Sequence, residues 1–170
     1  MRLTLAVVKF TWNTPEETHA FGVRLAALLR AGDLLVLSGP LGAGKTALTQ
    51  GIGAGLGVRG PITSPTFVIA RAHEPDAGAG GVVPLVHVDA YRLGGVGEVD
   101  HLDLEADVED SVTVVEWGGG LVDHLAEAHL EIAIERPDVA EDAEFEPRTA
   151  VLTPHGGDWE QRLNVLREIS

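Results

Sequence analysis

The chain has 170 residues, 45% of them hydrophobic, which fits a single domain spanning residues 1–170 with a buried core. It contains no cysteine, so a disulfide framework and a thiolate metal site are excluded, and no stretch approaches the roughly 20 apolar residues of a membrane span. Twelve basic against 26 acidic residues give a net charge of −14, so most of the surface repels free nucleic acid. An RNA-related role therefore needs a partner that holds the RNA. The apolar run at residues 3–8 is too short for a secretory core and ends at Lys9, so a cytoplasmic protein is the expectation.

Residues 2–10 are apolar and β-branched enough for a first strand. Thr14-Pro15-Glu16-Glu17 then reads as a helix start, with Thr14 as cap, Pro15 in the first turn and Glu17 closing a capping box. Phe21, Leu25, Leu28 and Leu29 follow at helical spacing, and Gly32 is a stop. Residues 34–37 form a short, wholly apolar run of the kind found in buried parallel strands. A helix over 45–55, strands at 67–71 and 83–89, and a mobile glycine-rich hairpin loop at 77–81 come next. Further strands are expected at 112–117, 130–134 and 149–152, with an acidic solvated loop at 135–146. A last helix at 159–168 presents Leu163, Val165 and Leu166 as its apolar set, and Trp12 and Trp159 read as packing residues. The alternation predicts an α/β, P-loop NTPase-like three-layer sandwich with a mainly parallel central sheet plus antiparallel strands.

Between the second strand and the following helix, residues 39–46 match G-x-x-x-x-G-K-[ST], the Walker A pattern. Glycines let the backbone curl its N–H groups around phosphate oxygens, and the following helix adds a positive N-terminal dipole. The chain has only two lysines, Lys9 and Lys45, so a lysine at this place is not background. Lys45 is expected on the β- and γ-phosphates and Thr46 on Mg²⁺. The set expected to hold ATP is Gly39, Leu41, Gly42, Ala43, Gly44, Lys45, Thr46 and Ala47, with Trp117 stacking on the adenine or packing a neighbouring loop.

Asp89 and Glu116 each end an apolar strand, the address of carboxylates that face the crevice at the sheet's C-terminal edge. Asp89 suits a magnesium carboxylate of the Walker B kind, and Glu116 suits orienting the attacking water or assisting the metal. The expected metal set is thus Thr46, Asp89 and Glu116. Thr66, within Ser64-Pro65-Thr66-Phe67, stands where a γ-phosphate sensor belongs. No lysine follows Lys45, so the N-K-x-D guanine signature is missing, and Asp89 is followed three residues later by Arg92 instead of glycine. No lysine or arginine lies between Arg92 and Arg136, against a kinase lid built on arginine. A partner-serving ATPase is favoured. A stand-alone P-loop kinase for a small molecule and a nucleotide-sensing module without useful catalysis are the alternatives. None of the seven histidines has the spacing of a transition-metal motif, and His87 reads as a structural or supporting residue.

Four blocks in order make the chain resemble the TsaE family. They are Gly32-Asp33 leading into Leu41-Gly42-Ala43-Gly44-Lys45-Thr46, Ser64-Pro65-Thr66-Phe67, His87-x-Asp89-x-Tyr91-Arg92-Leu93, and Val115-Glu116-Trp117. The resemblance runs from about Thr14 to the final helix. The chain departs from the family's pattern at Pro40, at Gly118-Gly119-Gly120 and near His73, and Pro40 removes one backbone N–H from the loop. The resemblance implies an ATP- and Mg²⁺-dependent subunit that serves the TsaD and TsaB proteins in threonylcarbamoyl modification of a tRNA adenosine beside the anticodon. It implies contact with tRNA only through that complex, slow hydrolysis alone, and no membrane association.

Overall fold

Four apolar residues in a row, Leu34 to Leu37, form a strand that can be satisfied only by burial on both faces, and the sheet is built around it. In the computed structural model, which describes residues 7–40, 43–62, 70–89, 109–116, 128–136 and 147–169, the elements follow in order. They are β1 (Val8–Trp12), α1 (Pro15–Ala26), β2 (Leu34–Ser38), α2 (Lys45–Leu56), β3 (Ala70–His73), β4 (Leu85–Asp89), β5 (Val112–Glu116), β6 (His129–Glu135), β7 (Arg148–His155) and α3 (Trp159–Ile169). The strands among these residues make one sheet of order β1-β7-β6-β2-β5-β4-β3. The central four, β6, β2, β5 and β4, are mutually parallel. β7, β1 and β3 join antiparallel at the two flanks.

Register assigns the faces. Leu35 lies between Val114 and Leu130, and Leu37 between Glu116 and Ile132. The apolar members of these rows pack in one core with Phe21 and Leu25 of α1, Leu48 and Ile52 of α2, and Leu163 and Leu166 of α3. On the other face Val36, Val88 and Val115 are buried too, so the central strands are covered on both sides, as a layered α/β architecture requires. No helix among the described residues is long and apolar enough to cross a membrane.

The start of α1 follows the sequence reading with one shift. The Thr14 hydroxyl accepts from the Glu17 N–H at 3.1 Å, but the Glu17 carboxylate accepts at 2.6 Å from Asn13, one residue before the cap. The helix ends at Ala26, earlier than the apolar spacing implies. Leu28 and Leu29 continue in single tight turns that bond back to Leu25 and Ala26. Phe21 stacks at a tilt on Phe10 and Trp12, with centroids 4.7 and 4.9 Å apart, which ties α1 to β1.

Three further expectations are corrected. Residues 77–81 lie in the connection of the β3–β4 hairpin, as expected, but are held rather than loose. Ala77–Ala79 form a 3-10 turn capped by the Asp76 side chain, and the Asp76 N–H donates to the Gly57 carbonyl at 2.7 Å. The glycines there serve close approach: a Cβ on Gly81 would strike the Gly57 carbonyl. The last strand is longer than residues 149–152, because its alternating buried side chains continue to Pro154. In α3 the buried stripe is Trp159, Leu163 and Leu166, while Val165 faces out. Most of the acidic stretch 135–146, and the part of the predicted third strand before Ala70, lie outside the described residues.

Two contacts fix the helical layer. α1 and α2 touch backbone to backbone: a Cβ on Gly22 would sit 2.6 Å from the Leu48 carbonyl oxygen, and one on Gly51 would overlap the His19 carbonyl. At the other end Arg162 of α3 donates to both Asp33 oxygens (2.6 and 3.0 Å) and to the Leu28 carbonyl (3.1 Å). Its guanidinium lies 3.8 Å from the Trp159 ring centre. Asp33 in turn accepts from the Arg30 N–H at 2.8 Å, so this buried pair locks the turn that feeds β2.

Gly→Ala inside a helix ordinarily stabilises by about 1 kcal/mol. At Gly51 the overlap reverses the sign, and Gly51→Ala is expected to cost about 1–3 kcal/mol in urea denaturation. Arg162→Ala strands the buried Asp33 carboxylate and is expected to cost about 3–5 kcal/mol. Arg30→Ala, which removes an exposed pair with Asp158, should cost under about 1 kcal/mol in the same assay.

Candidate active site

The parallel strands bring their C-terminal ends to one edge, where the glycine loop leaves β2. Gly39 makes the exit with φ +149°, and a Cβ there would lie 2.6 Å from the Ile134 carbonyl oxygen of β6. Only glycine fits this approach. The Pro40 carbonyl accepts from the Ala43 N–H at 3.1 Å, which tightens the loop, and Gly44 at φ +109° opens α2.

The two N-termini of α1 and α2 are built oppositely. α1 carries a threonine cap and two acidic residues, Glu16 and Glu17, in its first turn. α2 has no side-chain cap bond and no acidic residue in its first turn. Its leading N–H groups and its dipole are therefore left for an external anion. Lys45, the first residue of α2, is buried, and its ammonium donates to the Gly39 carbonyl at 2.7 Å and to the Pro40 carbonyl at 3.3 Å. The cation is thus held across the mouth of the loop. Thr46 and Ala47 follow, half-buried, in the same turn. These features fit the triphosphate of a nucleotide: a helix start without a side-chain cap, a fixed ammonium and a glycine at the loop's exit.

Across the sheet, Glu116 closes β5 beside Leu37 of β2 and opposite Asp89 of β4. Register thus places the two candidate carboxylate positions on neighbouring strand ends, next to the strand that leads into Gly39. Glu116 is only 4% exposed, and its Oε1 lies 3.1 Å from Nε2 of the fully buried His87. With Glu116 ionised, the imidazole donates through Nε2, so the pair fixes both the tautomer and the carboxylate rotamer. Arg71 of β3 stands opposite His87 in register. Burial lowers the pKa of His73, two residues on, and the His87 and Arg71 charges act in the same direction.

The structure therefore brings together Gly39, Ala43, Gly44, Lys45, Thr46 and Ala47 on one loop and helix end, and Asp89 with Glu116 on adjacent strands. Leu41, Gly42, Thr66 and Trp117 lie outside the described residues. The direct His87–Glu116 bond was not read from the sequence. Its trace was there, since His87 stands two places before one strand-end carboxylate and Glu116 is the other. Pairing them requires the register of β4 on β5. His87→Ala would leave a buried carboxylate unpaired and is expected to cost about 1–3 kcal/mol in urea denaturation at neutral pH, with His87→Gln, which keeps a donor, closer to the parent.

The chain is similar to known proteins of one family. The model of the family described as "Threonylcarbamoyl adenosine biosynthesis protein TsaE" matches residues 12–144. A tRNA threonylcarbamoyladenosine biosynthesis protein TsaE from Streptomyces coelicolor is 58% identical over 139 residues, 81% of this chain and 90% of that one. The protein of the same name from Bacillus subtilis is 40% identical over 127 residues, 74% of this chain and 77% of that one. The crystal structure of Bacillus subtilis YdiB superposes with a TM-score of 0.75 at 30% identity, covering 98% of each chain. With the family's model matched over most of its length and relatives this similar, the chain belongs to the TsaE family of threonylcarbamoyl adenosine biosynthesis proteins.

Proposed function

We propose that the chain binds Mg-ATP and hydrolyses it to ADP and phosphate in the cytoplasm. It does so as the ATPase subunit that supports TsaD and TsaB in threonylcarbamoyl modification of tRNA. The observation that carries this reading is the uncapped, acid-free N-terminus of α2 behind Gly39, with the Lys45 ammonium at the loop mouth and a buried Glu116 on the strand beside it.

The division of labour follows from the side chains. The N–H groups that open α2 receive phosphate oxygens. Lys45 exchanges its bonds to the Gly39 and Pro40 carbonyls for phosphate oxygens, so the loop that orients the ammonium also releases it. The Thr46 hydroxyl, Asp89 and Glu116 would hold Mg²⁺, which neutralises phosphate charge when bound. Glu116, kept in one rotamer by His87, orients the attacking water. Thr66 and Trp117 remain in the proposal as phosphate sensor and adenine contact. The net charge of −14 favours a protein partner over direct tRNA capture.

ATP turnover by the purified chain, alone and with the TsaD–TsaB pair and tRNA, tests the proposal. Turnover is expected to be slow alone, to rise at least about tenfold in the complex, and to vanish in Lys45→Ala. Glu116→Gln is expected to lose about 10²–10⁴-fold with nucleotide affinity retained. Turnover that ignores the pair and tRNA but responds to a metabolite would replace the proposal with a small-molecule kinase.

A further inference from the structure

Away from the nucleotide loop, a cavity of about 760 Å³ runs along the outer flank of β1. It is lined by every residue from Val7 to Trp12, together with Arg24 of α1 and Arg167 of α3. Three features of this groove are independent of the site above. β1 ends the sheet: it pairs with β7 on one side, and among the described residues nothing pairs with its other edge. Three of the chain's 12 basic residues, Lys9, Arg24 and Arg167, line it in a chain of net charge −14, and none of them is in an ion pair with a described carboxylate. Two buried donors, the indole N–H of Trp12 (3% exposed) and the Arg24 Nε–H, have no hydrogen-bond acceptor among the described residues.

We infer that the β1 edge is a docking groove for an extended acidic segment of a partner protein, which adds to the sheet as a strand. A five-residue strand with one open edge offers backbone donors and acceptors over about 17 Å, a length suited to a peptide and not to a small anion. The cations are dispersed in the way a line of carboxylates needs: Lys9 on the strand itself, Arg24 on one helix, Arg167 on another. By alternation Val8 and Phe10 lie on the face opposite Lys9, so a segment of alternating acidic and apolar residues sets its carboxylates on the Lys9 face and its apolar side chains against Val8 and Phe10. A lysine on an edge strand can also serve only to prevent self-pairing, and that is the competing outcome.

The probe is a fluorescein-labelled peptide of alternating aspartate and valine, titrated by anisotropy into the full chain without nucleotide, so that failure here is separate from failure of the ATPase reading. Binding is expected at low salt, absent for a lysine–valine control, and weaker by at least about tenfold in Lys9→Glu/Arg24→Glu/Arg167→Glu. Backbone amides of residues 7–12 should gain hydrogen-exchange protection in the complex. If the triple variant misfolds by circular dichroism, Arg167→Glu alone, in the exposed last turn of α3, takes its place with a smaller loss of the same sign. Unchanged affinity in the variants, displacement by inorganic phosphate without amide protection, or no binding at all would each overturn the inference. The last would leave Lys9 as an edge guard.

Discussion

The placement of β2 is the constraint from which the site follows. Its apolar residues are buried on both faces, so it has no stable position except the middle of a covered sheet. Once there, its neighbours are fixed. β5 on one side delivers Glu116 beside Leu37, and β6 on the other brings the Ile134 carbonyl against Gly39. The bend of the loop is therefore shaped by a residue about a hundred positions later, and the glycine is demanded by that approach as much as by any ligand. A strand chosen for its hydrophobicity thus sets the position of a polar site.

The helical layer supplies the electrostatics. α1 and α2 share a glycine-lined contact yet end differently, one capped and acidified, the other bare. A helix start without cap or acid is less stable by itself. Here the loss is offset by packing, since Leu48 and Ile52 are fully buried and α1 holds the helix along its length. The uncapped end is tolerated because the rest of the helix is so well held, and a helix start of this kind suits an anion. His87 has a similar relation to Glu116: a fully buried imidazole gives up solvation to keep one carboxylate in one place.

Much of this was legible in order of local strength. The capping residues of α1, the P-loop pattern, the buried run of β2 and the strand-end carboxylates are short-range signals, and α2, β2, β4, β5, β6 and α3 lie within a residue or two of where periodicity placed them, whereas β1 runs on to Trp12 and β3 to His73. Boundaries moved where tertiary contacts overrode propensity, as at Leu28 and Leu29, which pack without being helical, and at β7, which extends as far as β6 gives it a partner. Glycine-rich residues 77–81 were misread because composition signals freedom, whereas these glycines permit contact with Gly57. The Arg162–Asp33 pair was not visible at all. Asp33 was noticed only as part of a block, because nothing local links positions 129 residues apart.

The sheet order carries a consequence for synthesis. β7 lies between β6 and β1, so β1 has no neighbour among the described strands until β7, far later in the chain, has been made. The turn before β2 likewise gains its arginine partner only from the final helix. A nascent chain stalled after β6 would hold the complete loop and strand-end carboxylates, yet lack β1's partner and the clamp on Asp33. Closure of the fold thus waits for residues late in the chain, and long-range pairing of this kind is slow.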